Sequence, residues 1–314
     1  MAASSRFTVN IEGVNISVYF SEECFRSALR FKPKPDDVII VTYPKCGTTW
    51  MQNLVLNILR RGRTFEKPSD FYFASPFLDQ LGAEDSENMM IRPGCYKTHL
   101  PLHKVPWSDD SKYIYVARNP KDCCVSFYHH MKNLPGYQFA DGTFEEFFDL
   151  FIKGQVEFGD YFDHLLPWYN ARHCANVYFT TFEEMKRDLK KVAKEVATFV
   201  DENEARYLDE NPEVLERILH NCSFQETKKM VNAGLSSLYQ VQDKDVLARL
   251  PKGRQHILKY MEALPKKDNI LFIRKGEIGS YKQELSPKQN EILNELIRER
   301  TENSDVMTLW EKCM

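Results

Sequence analysis

No apolar run in the chain approaches the ~18–20 residues of a membrane-spanning helix, which argues against an integral helical membrane protein. The opening residues Met1-Ala2-Ala3-Ser4-Ser5-Arg6-Phe7 lack the apolar core of a secretory signal. CxxC pairs are also missing. Apart from the adjacent Cys123 and Cys124 the 8 cysteines are scattered, so they are expected to be reduced thiols of a cytoplasmic protein. There is no internal repeat and no low-complexity linker. Strong charge of either sign is absent too. With 42 Lys+Arg against 45 Asp+Glu, a net charge of −3 and a pI near 6.3, nothing draws the whole surface toward nucleic acid or an acidic membrane. Any basic site must be local. What remains, 314 residues with 43% hydrophobic and 13% aromatic content, suits a globular enzyme with a sizeable core, read as one domain over residues 1–314.

The most informative stretch begins with the β-branched run Val38-Ile39-Ile40-Val41, the pattern of a buried parallel strand. It stops at Tyr43-Pro44 and is followed by an apolar helix from Met51 to Arg60 that Gly62 can close. Between them lie Lys45, Cys46, Gly47, Thr48 and Thr49. Such a turn directs free backbone N–H groups and a helix N-terminus at one spot, and Lys45 adds a full positive charge. The turn reads as a phosphate cradle, P-loop-like but without the glycine that precedes Gly-Lys-Ser/Thr in nucleotide P-loops. Taken alone, an ordinary strand-turn-helix with a solvated lysine is the competing reading. Cys46, beside Lys45 at a helix start, is expected to have a lowered pKa and a reactive thiol.

Strand candidates at residues 38–43, 95–99, 113–117, 177–180 and 269–273 alternate with helical segments, which predicts an α/β fold with a mostly parallel central sheet flanked by helices. Thr143 with Glu146, and Thr181 with Glu184, have capping-box spacing. Phe144, Phe147, Phe148 and Phe151 then share one helical face, as do Met185, Leu189, Val192 and Val196. Asn211-Pro212 and Ser286-Pro287 are read as N-cap plus proline at the first helical position. Residues 231–267 form a long polar excursion with Gly234, Gly253 and an amphipathic stretch at residues 256–264, expected to be a lid-like insertion.

Ligands of open α/β sheets bind beyond the carboxyl ends of the strands, and here four such ends are basic. They carry Lys45; Lys97-Thr98-His99; Arg118 with Lys121, followed by Ser126; and Arg274-Lys275-Gly276. If they converge they form a polyanion pocket. A kinase would place a Mg²⁺-holding acid where Arg118 stands, and Asp122 is the sole carboxylate nearby. Lysine and histidine instead suit a metal-free transfer in which cations neutralise leaving oxygens and His99 takes a proton.

Together these segments, Tyr43 to Trp50, Lys97-Thr98-His99-Leu100-Pro101, Arg118-Asn119-Pro120-Lys121-Asp122 through Ser126, and Arg274-Lys275-Gly276, resemble the signature segments of cytosolic sulfotransferases, in the same order. The resemblance implies 3′-phosphoadenosine 5′-phosphosulfate (PAPS) as sulfuryl donor, with 3′-phosphoadenosine 5′-phosphate (PAP) as product. It places Lys45, Gly47, Thr48 and Thr49 at the 5′-phosphosulfate, and Arg118, Ser126, Arg274, Lys275 and Gly276 at the 3′-phosphate. Trp50 and Phe224 would sandwich adenine, as flat rings stack on bases. Lys97 and His99 match the catalytic pair, with Lys45 acting on the bridging region of the donor.

The chain departs from the family pattern at Cys46, where serine is usual, at Phe182, usually a tyrosine against adenine, and at Cys222, usually a threonine. The family's dimer motif survives only as Lys282, Ser286-Pro287 and Glu291, which makes a homodimer by that route doubtful. Phe20, Phe73, Phe77, Tyr128, His130, Phe139 and Tyr239 are candidate acceptor contacts, and an aromatic lining favours a phenol or catecholamine acceptor. Neither a nucleic-acid nor a membrane partner is expected. The alternatives are a nucleotide kinase-like phosphotransferase, a Golgi-type carbohydrate sulfotransferase and a nucleotide-binding protein without catalysis.

Overall fold

A computed structural model describes residues 6–239, 250–264 and 272–314. A short antiparallel hairpin, β1 (Thr8–Ile11) and β2 (Val14–Ser17), precedes the central sheet. That sheet contains β3 (Val38–Val41), β4 (Tyr96–Thr98), β5 (Lys112–Ala117) and β6 (Val177–Thr181), all parallel, in the order β4-β3-β5-β6. The chain leaves β3 toward β4 on one side and returns to β5 on the other. The carboxyl end of the sheet therefore opens at the β3/β5 boundary, the switch point where ligands bind in such sheets.

Strand alternation sorts side chains onto two cores. Ile39, Val41, Tyr113, Tyr115 and Ala117 face an aromatic layer that includes Trp168, Tyr161 and Phe127. Val38, Ile40, Ile114 and Val116 face a mainly aliphatic layer containing Leu54, Val192 and Leu215. Register then decides which loops meet. Val41 pairs with both Thr98 and Tyr115, so the residues after β3, β4 and β5 emerge side by side.

Several helix starts follow their local chemistry. The Thr143 and Thr181 side chains accept from the backbone N–H of Glu146 and Glu184, and Ser286 and Gln289 form a complete capping box ahead of the helix Pro287–Arg300. Glu291 thus lies within a helix. Asn211 departs from the expectation, because its side chain donates back to the Tyr207 carbonyl at 2.8 Å and makes no cap. The expected single stripe from Met185 to Val196 is two helices, Phe182–Arg187 and Leu189–Val200. Asp188 breaks the first and caps the second by accepting from Lys191 N–H.

The expected fifth strand is not formed where it can be seen. Residues 269–271 lie outside the described residues, and Phe272 and Ile273 form a bend. The basic segment Arg274-Lys275-Gly276 reaches the sheet by another means. Asp122, in the helix Pro120–Asn133, accepts from the backbone N–H of Gly279 at 2.6 Å, from that of Tyr281 at 3.0 Å and from the Ser280 hydroxyl at 3.0 Å. A buried carboxylate satisfied this way anchors the chain segment through charge-assisted hydrogen bonds.

Within residues 231–267, the helix Phe224–Tyr239 and the helix Lys252–Glu262 are described, while residues 240–249 and 265–267 lie outside the described residues. The two glycines here sit inside helices. A Cβ on Gly253 would lie 2.0 Å from the Gln80 carbonyl oxygen, and one on Gly234 2.5 Å from that of Pro68. Both permit close backbone approach. No helix among the described residues is long and apolar enough to cross a membrane.

Candidate active site

The turn after β3 is built by backbone conformation. Lys45 has φ +71° and Gly47 φ +108°, both left-handed, and Gly47 opens the helix Thr48–Leu59 as its N-cap. Only glycine takes the latter angle without strain, and a Cβ there would come within 3.1 Å of the Phe182 ring. The helix start has no side-chain cap, so its first N–H groups remain available to an anion.

Cations converge on this turn. The Lys45 ammonium lies 3.3 Å from His130 Nδ1 and 4.8 Å from the Phe272 ring centroid. Burial, with Lys97 and Arg118 nearby, pushes its pKa down to about 7. Lys97 sits 3.7 Å over the Phe77 ring, and burial lowers it to about 8 although Asp79 and Glu157 oppose the shift. Two lysines depressed together mark a site short of negative charge.

Arg118, at the end of β5, donates to the carbonyls of Lys45 at 3.3 Å and Glu277 at 2.9 Å, and its guanidinium lies 4.4 Å over Phe182. Its Nε is buried without a partner among the described residues. Arg118 lines the basic cavity with part of its hydrogen-bonding capacity unspent, which suits a bound phosphate. Gly276 has φ +63°, and a Cβ there would lie 2.4 Å from the Phe224 ring, so the 274–276 segment lies directly against that aromatic. Across the slot, Trp50 and Phe182 meet at 5.4 Å, and the Trp50 indole donates to the Cys222 carbonyl at 2.8 Å. Flat rings on two sides of a cationic slot suit a doubly phosphorylated nucleoside.

His99 is held from both sides. Its Nδ1 lies 2.8 Å from the Thr42 carbonyl, which can only accept, so Nδ1 carries the proton and Nε2 keeps its lone pair. Thr42 Oγ1 is 3.2 Å from the same nitrogen and 2.6 Å from Thr48 Oγ1, which ties the imidazole to the cradle. Asp79 accepts from His99 N–H at 2.7 Å and from the Thr98 hydroxyl at 2.5 Å, and His164 Nε2 donates to the His99 carbonyl at 3.0 Å. Burial and the positive Lys97 hold the His99 pKa well below its usual 6.5, so the ring is neutral at physiological pH.

One continuous cavity joins these parts. It is lined by Lys45, Gly47, Thr48, Thr49 and Trp50 from the first segment, with Lys97 and His99 at its centre. Arg118, Ser126, Phe182, Phe224 and Arg274-Lys275-Gly276 also line it, as do Phe20, Phe73, Phe77 and His130. Four expected residues are not on its wall. The Cys46 thiol is buried 3.7 Å from Cys123 Sγ, with its pKa raised well above the usual thiol value by burial. Desolvation outweighs the helix start here, against the expectation of a reactive thiol, so Cys46 in the native protein should resist maleimide with or without PAP. Rapid labelling located to Cys46 by peptide mass would contradict this placement. Cys222 contributes only the carbonyl that orients Trp50, its side chain being buried beneath. Tyr128 packs among Phe139, Phe144 and Phe147, its hydroxyl donating to the Gly142 carbonyl at 3.3 Å, so neither it nor Phe139 reaches the cavity. The side chain of Tyr239 lies outside the described residues.

Sequence reasoning missed Asp79, His164 and the Thr42 carbonyl. Only the Thr98-His99 pair at the end of strand β4 hinted that a buried acceptor must wait for its N–H and hydroxyl.

Comparison with known proteins agrees with this arrangement. A model of the sulfotransferase domain family matches residues 35–305. Sulfotransferase 1C2 of Rattus norvegicus is 34% identical over 282 residues, covering 86% of this chain and 84% of the relative. The amine sulfotransferase of Oryctolagus cuniculus is 27% identical across 99% of this chain and 96% of its own length. A crystal structure of mouse sulfotransferase SULT7A1 complexed with PAP superposes with a TM-score of 0.71 at 27% identity, covering 98% of this chain and 100% of that one. The chain therefore belongs to the cytosolic sulfotransferase family and is a sulfuryl-transferring enzyme that uses PAPS.

Proposed function

We propose that the enzyme transfers the sulfuryl group of PAPS to the hydroxyl, or amine, of a small aromatic acceptor, with His99 as general base. The observation that carries this reading is the fixed imidazole, whose Nδ1–H is engaged by Thr42 so that Nε2 is the nitrogen with the lone pair beside Lys97. His99 Nε2 takes the acceptor's proton as the acceptor oxygen bonds to sulfur and the bond from sulfur to the 5′-phosphate oxygen breaks. PAPS supplies the activated sulfuryl group; the chain supplies charge and orientation. Lys45 and the backbone N–H groups of Gly47, Thr48 and Thr49 neutralise the phosphate oxygen on which charge collects. Arg118, with its unpartnered Nε, Ser126 and residues 274–276 hold the 3′-phosphate, while Trp50, Phe182 and Phe224 enclose adenine.

Phe20 and Phe77, in edge contact at 5.8 Å, support a flat acceptor such as a phenol or catecholamine, and the name of the rabbit relative keeps an amine nucleophile in the class. The helices Phe224–Tyr239 and Lys252–Glu262 contribute Leu235 and Arg254 to the cavity, and Leu250 lines it just ahead of the second helix, in keeping with a single cytoplasmic domain whose 231–267 excursion borders the site.

Calorimetry with PAP and ADP tests the donor site. Charge-assisted hydrogen bonds contribute about 1.5–3 kcal/mol each, so PAP should bind at least about a hundredfold tighter than ADP, which lacks the 3′-phosphate. Equal affinities would remove the proposed role of Arg118, Arg274 and Lys275.

A further inference from the structure

Glu284 joins two groups that lie far apart in the sequence. Its Oε1 is 2.9 Å from His129 Nε2 and 3.8 Å from a guanidinium nitrogen of Arg274. All three side chains are between a fifth and a third exposed. A carboxylate only accepts, so Nε2 carries the proton and the neutral imidazole keeps its lone pair on Nδ1. His129 lies one turn beyond Ser126 on the helix Pro120–Asn133, and both line the cavity together with Arg274 and Lys275.

The carboxylate is set in place by the helix that carries His129. Asp122 of that helix anchors residues 279–281, and the Glu284 N–H donates to the Tyr281 carbonyl at 3.1 Å. Arg274 is tied down separately, its carbonyl accepting from the Lys228 ammonium at 3.2 Å. Burial lowers the Arg274 pKa, and Glu284 is the first charge to oppose that.

His129 is pulled both ways. Burial lowers its pKa from the usual 6.5; Glu284 raises it, while the positive Arg274 and Lys275 lower it. Lys132, on the same helix, is held by the Tyr128 hydroxyl at 3.0 Å. A phosphate that pairs with Arg274 and Lys275 cancels the two charges that keep the proton off His129. It also takes Glu284's place beside Arg274. The carboxylate, left facing an anion, then needs a new positive partner, and a proton on His129 Nδ1 makes the imidazole that partner.

We propose that His129 and Glu284 belong to the donor site: when the 3′-phosphate binds, Arg274 exchanges Glu284 for the phosphate, and His129 takes up a proton from solvent to pair with Glu284. The inference rests on the 3′-phosphate placement proposed above. Because the His129 pKa is higher in the complex than in the free protein, this exchange strengthens donor binding as pH falls through the interval between the two values. Outside that interval it adds no slope.

Calorimetry with PAP and ADP between pH 8 and pH 6 tests the exchange. The nucleotide phosphates titrate near about 6, and Lys45 and Lys97 are lowered to about 7 and about 8. Those contributions are common to native enzyme and variants, so the difference between them isolates His129. On going from pH 8 to pH 6, the native enzyme should gain at least about threefold more PAP affinity than His129→Gln, and should take up more protons on binding at pH 6.5. Glu284→Gln should reduce the same gain, and it supplies the test if His129→Gln fails to fold. With ADP, which lacks the 3′-phosphate, native enzyme and variants should share one pH profile. A native enzyme that prefers PAP to ADP but shows the same pH gain as both variants overturns the exchange and leaves the 3′-phosphate placement standing. Equal affinities of the native enzyme for PAP and ADP overturn that placement, and the exchange with it.

Discussion

Replacing His99 with alanine is expected to lower kcat by about 10²–10⁴-fold, the usual cost of losing a positioned general base. PAP affinity should change little, because the donor cradle and the Arg118 slot are built on other strand ends. A nitrophenol that is already ionised at assay pH needs no base and should recover part of the loss. The pH dependence carries a more specific signature. His99 is held well below the usual 6.5 by burial and Lys97. In the free enzyme the base is therefore already deprotonated at neutral pH, and the rising limb of kcat/KM should lie below the ordinary histidine range. Near-native turnover of an alcohol by His99→Ala at neutral pH would place the base elsewhere.

Lys45→Ala should fail differently, with kcat falling about 10²–10³-fold and PAP affinity falling as well. Ionised nitrophenol should bring no recovery, since the defect lies on the leaving-group side. Here too the pH dependence has a definite sign. Lys45 and Lys97 have pKa values lowered to about 7 and about 8, so each is charged below that value and neutral above it. Donor affinity should strengthen as pH falls from above 8 toward 7. At pH 8, PAP binding should draw protons onto the protein, because an anion beside each lysine restores the charged form. Calorimetry in buffers of different ionisation enthalpy measures that uptake, and Lys45→Ala should reduce it. Binding that is independent of pH between 7 and 9, with no proton uptake, would mean that these lysines do not meet the donor.

Much of the nucleotide end was legible because its chemistry is local. A strand, a glycine-bearing turn and a helix contiguous in sequence already specify an anion cradle, and Lys45-Cys46-Gly47-Thr48-Thr49 needs no distant partner to be recognised. The Thr143, Thr181 and Ser286 caps were readable for the same reason, as each bond closes within three residues. Asn211 and Asp188 show the limit. Either could cap or break a helix, and tertiary packing selects the outcome.

By itself the sequence determined the four parallel strands of the central sheet, the four basic segments that meet at one cavity, and the family. All of these are written in contiguous residues and their periodicity. Tertiary structure decided what depends on environment. Burial overrode the helix start at Cys46 and raised a thiol pKa that proximity to Lys45 had suggested would fall. Asp122 holds residues 279–281 against the helix Pro120–Asn133, and the Thr42 carbonyl chose the tautomer of a histidine 57 residues away. Desolvation and hydrogen-bond satisfaction are sums over neighbours in space, so no window of sequence contains them.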